Sequence, residues 1–195
     1  TARLGLHLTL DEGWHTFWKS NVDVGQPTDI VWGLPNGYES TAYEYPVPQR
    51  FETEGIISFG YEKEVLLYTH ITVPADAMPG TVTLNATAGW LTCETNCIPA
   101  KDVKLSLPVE VLAADAPKIQ PKHSYAKLFD HYAAQHPTPA DQVPSLSFEG
   151  ALSRSALKYD ESFKLALKVT PKEGHTLTPH RGDISWPTVT PIVNN

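Results

Sequence analysis

The sequence predicts an all-β protein folded as an antiparallel sandwich, and three observations predict it. Apolar residues alternate with polar ones in run after run, which is the period of a half-buried strand. Turn signals separate those runs, as in Asp11-Glu12-Gly13, Pro35-Asn36-Gly37 and Met78-Pro79-Gly80. Seventeen prolines and twelve glycines in 195 residues argue against long helices, because a proline inside a helix removes a backbone donor and clashes with the turn before it. Many short strands punctuated in this way are the pattern of an immunoglobulin-like sandwich.

Each element follows from its own residues. Leu4, Leu6, Leu8 and Leu10 alternate with Gly5, His7 and Thr9, and Val65, Leu67, Thr69, Ile71 and Val73 repeat the pattern up to Pro74. Val82, Leu84 and Ala86 continue it, and Val103, Leu105, Leu107, Val109 and Val111 form the most regular run. One helix is predicted, over 124–136: Tyr125, Leu128, Phe129 and Tyr132 fall at i, i+3, i+4 and i+7, with Ser124 as N-cap and His136-Pro137 as the stop. Proline-bearing segments flank it, Ala116–Pro121 and Pro137–Pro144. The reading is therefore an immunoglobulin-like domain over 1–113, a proline-rich connector with the helix over 114–144, and a second, smaller β domain over 145–195, short or truncated. Strands resume there with Leu146 and Phe148, then Phe163, Leu165, Leu167 and Val169. A weak internal repeat links Leu6–Thr16 to Leu165–Thr176, since both run from a strand into Glu-Gly and then His-Thr.

Charge and composition exclude several functions. Lys plus Arg number 15 against 22 Asp plus Glu, a net charge of −7, so no basic stripe is available for nucleic acid. No apolar run approaches the roughly 18–20 residues that span a bilayer, so direct membrane insertion by this segment is not expected. Thr1 opens the chain without Met or a leader, which leaves the compartment to be argued from chemistry. A Gly-x-Ser-x-Gly elbow, a phosphate loop, a dinucleotide fingerprint and a His-Glu-x-x-His pair are all missing from the sequence. Carboxylates such as Glu62 and Glu64 read as a solvated strand face.

The two cysteines, Cys93 and Cys97, lie in Trp90-Leu91-Thr92-Cys93-Glu94-Thr95-Asn96-Cys97-Ile98-Pro99. Four positions along one strand separate residues by about 13 Å, beyond disulfide reach. A tight hairpin with a three-residue loop brings them opposite each other, and Asn96 suits a left-handed loop position. Three readings stand side by side. A static staple closes so short a loop that chain entropy supplies only about 2 kcal/mol. A redox-active pair fits a strained cross-strand bridge, which exchanges readily. A metal pair such as Cu(I) needs soft thiolates, but His70, His123, His131, His136 and Met78 stand at no recognisable ligand spacing from the cysteines. Aromatic residues on a mobile loop are one way to shield a labile bond. Phe51–Glu62, with Phe59, Tyr61 and two glycines, is the candidate, against the alternative that its aromatics pack in the core. Trp90 is either core filler or part of the sulfur pocket, together with Glu94.

The runs Gly13-Trp14-His15-Thr16-Phe17-Trp18-Lys19-Ser20, Gly25-Gln26-Pro27-Thr28, Phe59-Gly60-Tyr61, Glu64-Val65-Leu66-Leu67 and Trp90-Leu91-Thr92-Cys93 through Cys97-Ile98-Pro99 resemble one family over about residues 4–112. It is the periplasmic N-terminal domain of the DsbD-type transmembrane disulfide reductases, nearest the ScsB branch associated with suppression of copper sensitivity. The resemblance implies that Cys93 and Cys97 are the catalytic residues of a protein-disulfide reductase and that no cofactor beyond that pair is needed. Electrons would come from a transmembrane domain of the same polypeptide and leave to a periplasmic thioredoxin-fold partner, with the chain acting as a monomer. Cys97 would attack first. Ile57–Glu62 would be the protective loop, with Phe59 or Tyr61 as the shielding ring. The cysteines are closer in sequence here than in DsbD itself. Two other functions stay open at this stage, a periplasmic copper-binding or copper-tolerance domain and a structural sandwich with a static disulfide.

Overall fold

The computed structural model describes residues 1–19, 24–113, 115–117, 123–154, 156 and 162–176. In chain order its strands are β1 (Ala2–Thr9), β2 (His15–Phe17), β3 (Asp29–Gly33), β4 (Glu39–Ser40), β5 (Gln49–Thr53), β6 (Ile56–Glu62), β7 (Glu64–Thr72), β8 (Gly80–Cys93) and β9 (Cys97–Val111). Helix α1 (His123–Ala133) and a 3₁₀ turn (Ala140–Gln142) follow, then β10 (Leu146–Leu152) and β11 (Leu165–Pro171). Among the described residues, a first compact unit ends at His136 and a second begins at Pro137.

The first unit is the predicted immunoglobulin-like sandwich. One sheet has the order β1-β7-β4; the other runs β3-β8-β2-β6-β5, with β9 paired to β8. Alternating positions supply the core, as the periodicity predicts: Leu6 and Leu8 from β1 and Val65 and Leu67 from β7 meet Ile30, Tyr61, Ala86 and Ala88 from the second sheet. The chain passes from β6 to β7, and so from one sheet to the other, through Lys63 alone. That residue takes a left-handed φ of 64°, and its carbonyl accepts the Leu10 N–H at 2.7 Å.

β7 departs from simple alternation, because Leu66 (2% exposed) and Tyr68 (7%) are buried as well as Val65 and Leu67. Helix α1 covers that outer face. Its Phe129 ring meets Tyr68 edge-on at 5.4 Å, Tyr132 donates its hydroxyl proton to the Glu64 carbonyl at 2.9 Å, and Asp130 pairs with Arg3 at 2.7 Å. Gly5 makes room here, since a Cβ on it would stand 2.8 Å from Leu66 Cδ1. The helix expected in a connector is thus an outer layer of the first unit. An eleven-residue helix is marginal on its own, and its Leu128-Phe129-Tyr132 stripe needs an apolar surface to lie on. It begins at His123, so Ser124 sits inside the first turn rather than capping it. Residues 118–121 of the expected lead-in lie outside the described residues.

In the second unit β10 pairs with β11 antiparallel, from Leu146 opposite Pro171 to Leu152 opposite Leu165. That register puts Leu146, Phe148 and Leu152 on one face with Leu165, Leu167 and Val169. Residues 177–195 of the expected second domain lie outside the described residues. The matched stretches of the internal repeat also share a turn. Trp14 N–H donates to the Asp11 carbonyl at 3.1 Å and His175 N–H to the Lys172 carbonyl at 3.0 Å. Gly13 and Gly174 stand at the same place in those turns with φ of 84° and 82°.

Gly60 fixes the contact between β6 and β2, because a Cβ there would stand 1.8 Å from the Thr16 carbonyl oxygen. Gly60→Ala is therefore expected to destabilise the fold by about 3 kcal/mol, a fall in Tm of roughly 6–12 °C for a chain this long. Calorimetry checks it; an unchanged Tm would mean that the two strands separate at no cost.

Candidate functional site

Cys93 ends β8 and Cys97 opens β9, directly opposite each other in the antiparallel register. They are joined as a disulfide with their Cα atoms 4.1 Å apart. The three-residue loop between them is held by the Glu94 N–H donating to the Asn96 carbonyl at 3.2 Å. The hairpin is the one that the spacing predicts, but Asn96 does not take a left-handed φ: among described non-glycine residues only Glu54, Lys63 and Asp102 do.

Asp102 decides where the sulfurs point. On β8 the even-numbered Leu84, Ala86, Ala88 and Trp90 face the core, and Cys93, an odd position, faces away. On β9 the residues opposite Leu84, Ala86 and Ala88 are Leu107, Leu105 and Val103, so odd positions face the core there. Uninterrupted, that alternation would send Cys97 inward. The register shifts between Ala88 and Trp90, with Asp102 at φ 53° as the extra residue, and Ala100 and Ile98 then oppose Trp90 and Thr92. The bulge inverts the alternation, and Cys97 joins Cys93 on the outer face.

Two further strands extend this row. β2 pairs with β8 so that His15 is opposite Cys93, and with β6 so that His15 is opposite Glu62. Glu62, His15, Cys93 and Cys97 therefore cross four neighbouring strands in one line on one face, with about 4.5–5.5 Å between successive Cβ atoms. The His15 ring stacks on Phe51 at 4.9 Å and meets Phe17 edge-on at 5.2 Å. Burial lowers the His15 pKa below its ordinary value, and the Glu62 carboxylate opposes that shift. Cys93 is 4% exposed, whereas Cys97 is open to solvent. One cysteine is exposed and the other is buried.

The remaining sequence candidates fall elsewhere. Phe51–Glu62 is not a mobile loop but the hairpin β5–β6, in which Glu54 and Gly55 form a two-residue turn with φ of 53° and 81°; positive φ at both is the mark of a type I′ turn. Phe59 is buried with its ring 6.4 Å from Trp18. Tyr61 is in the core, its hydroxyl donating to the Pro46 carbonyl at 2.7 Å and its pKa pushed up by burial. Both rings occupy the strand face opposite to that of Glu62. Trp90 packs against the core, three positions from Cys93 and so on the other face of β8. Glu94 is exposed and lies over the turn at Gly13, 3.5 Å from where a Cβ on that glycine would stand. Phe51 entered the sequence reading only as the first residue of the candidate cover, and His15 only within a family motif; the signal for His15 is the Trp14-His15-Thr16-Phe17 alternation, which places His15 and Phe17 on one face. Among the described residues no three His, Cys, Asp or Glu side chains gather as a metal-ligand set, and no helix is long and apolar enough to cross a membrane.

The family model of the N-terminal region of the thiol:disulfide interchange protein DsbD matches residues 1–109. The chain belongs to the DsbD N-terminal family. Its structure is similar to the N-terminal periplasmic domain of ScsB from Proteus mirabilis, with a TM-score of 0.51 and 19% identity over 90% of this chain and 77% of that one; at that identity the likeness concerns the fold. No curated protein matches the chain. As a DsbD-type N-terminal domain, the first unit carries its only two cysteines as the bonded pair just described.

Deleting Asp102 removes the extra residue and leaves an unbroken ladder in which Cys97 is still opposite Cys93. The purified variant is expected to keep the bond and to show no free thiol with a thiol reagent under denaturing conditions. Two free thiols would mean that the bulge does more than absorb one residue.

Proposed function

We propose that this chain is a periplasmic thiol–disulfide exchange module of a membrane disulfide reductase. In this reading Cys93 and Cys97 accept electrons from a transmembrane domain of the same polypeptide and pass them to a periplasmic thioredoxin-fold protein. The observation that carries it is a disulfide at a hairpin tip between one exposed and one buried cysteine. Exchange proceeds by a thiolate attacking along the S–S axis, and an exposed cysteine joined to a sheltered one gives each a separate part. Cys97 meets the partner, and Cys93 waits to resolve the mixed disulfide. Closing a ring this small contributes only about 2 kcal/mol to stability, which a sandwich with a full apolar core does not require. His15, directly opposite Cys93 and stacked on Phe51, takes the shielding part that the sequence assigned to Phe59 or Tyr61. The chemistry needs no cofactor beyond the pair, and membership in the DsbD N-terminal family supports the whole reading.

Equilibration of the chain in glutathione and dithiothreitol redox buffers tests it. A potential above about −300 mV is expected, since stapling disulfides of secreted proteins lie lower. Cys93→Ala should fold normally and trap a thioredoxin-fold disulfide protein as a stable adduct. Cys97→Ala, left with a buried thiol, should trap at least tenfold less. A bond that resists these buffers, or variants that fail to fold, would identify a staple instead.

A further inference from the structure

The row Glu62–His15–Cys93–Cys97 has the composition of a proton relay ending on a sulfur. We infer that His15 accepts the proton of Cys93 when the reduced domain gives its electrons away, and that Glu62 steadies the imidazolium so formed. The inference rests on the exchange function proposed above and assigns the residue that makes its second step fast.

The chemistry balances as follows. The Cys97 thiolate attacks one sulfur of a partner disulfide; the Cys97–partner S–S bond forms, the partner's own S–S bond breaks, and its departing sulfur takes a proton from solvent. Cys93 must then attack Cys97 Sγ, and only its thiolate can. Burial at 4% exposure disfavours that anion, so a base beside it is needed. His15, directly across the strand pair, receives the proton. The Cys93–Cys97 bond forms, the second partner sulfur leaves, and the imidazolium proton follows it or goes to water. Two electrons and two protons have then passed to the partner, and the domain is a disulfide again.

The setting of His15 suits that part. A base must be neutral to accept a proton, and an imidazole stacked on Phe51 at 4.9 Å, met edge-on by Phe17 at 5.2 Å and half-buried, is held in its neutral form near pH 7. Once protonated it faces the carboxylate of Glu62, directly opposite on β6. From β5 the ring of Phe51 stacks on it, and on β8 Cys93 stands directly opposite it in the register. Glu94, the ionisable group of the β8–β9 loop, lies against Gly13.

Ellman's reagent separates the two steps on the reduced 195-residue chain. Each attack releases one coloured thiolate, first when Cys97 forms the adduct and again when Cys93 resolves it. In the parent chain the second phase should be level from pH 6.5 to 8 and fall below that as His15 becomes protonated. His15→Phe, which keeps a ring against Phe51 and Phe17, should slow the second phase at pH 7 about 100-fold, the lower end of general acid–base effects, and leave the first within about twofold. Its second phase should instead climb with pH, because hydroxide must then take the proton in place of the imidazole. His15→Gln serves if the phenylalanine variant does not fold. Glu62→Gln should move the acid fall of the parent profile to lower pH, because the carboxylate raises the imidazole pKa, a shift that mere packing would not produce. His15 variants with the parent's rate and pH profile overturn the inference and leave the exchange function standing. A parent chain that stops after one equivalent overturns the exchange function, and this inference with it.

Discussion

Two side chains on neighbouring antiparallel strands can be bonded only if they stand directly opposite and on the same face, and here both conditions depend on the register of β8 against β9. Without the bulge at Asp102, the alternation that sends Val103, Leu105 and Leu107 toward the core would send Cys97 with them. The extra residue inverts the face for the last turn of the ladder. A left-handed φ at a non-glycine position is unfavourable, and it persists because the paired strands on either side of it fix the backbone.

Placing the bond on the outer face gives it neighbours that the core could not supply. β2 is only three residues long, yet it lies between β6 and β8 and so carries His15 between Glu62 and Cys93. Its position is enforced by Gly60, where no side chain fits, and by the buried Thr16, whose hydroxyl donates to the Leu91 carbonyl at 2.9 Å. The resulting site is asymmetric, with an apolar flank of Phe51 and Phe17 on one side of the imidazole and an exposed cysteine at the end of the row. That asymmetry separates capture of a partner from release of it.

Where sequence and structure differ, the cause is usually that a one-dimensional period cannot report what lies on the second face. β7 reads as a half-buried strand from Val65, Leu67, Thr69 and Ile71, yet Leu66 and Tyr68 are covered too, because α1 folds back onto them. For the same reason a helix with an apolar stripe looked like part of a connector: its stripe is visible in the chain, but its partner surface is 60 residues away. Phe59 and Tyr61 looked like loop aromatics because glycines at 55 and 60 suggested hinges. Gly55 instead forms a tight turn and Gly60 a close strand contact, so the segment is a paired hairpin. Trp90 is near Cys93 along the chain and on the opposite face of the sheet.

The sequence by itself determined the all-β class, the strands of the sandwich, the hairpin that brings Cys93 to Cys97, and the resemblance to the DsbD family, because alternation, turn chemistry and the reach of a disulfide are local properties. Only the tertiary structure decided that α1 belongs to the first unit, that Asp102 turns Cys97 outward, and that His15 and Glu62 complete a row with the sulfurs. Those facts depend on pairings between β2, β6, β8 and β9, whose residues are far apart in the chain, and a cross-strand register is fixed by packing over the whole sheet rather than by any one segment.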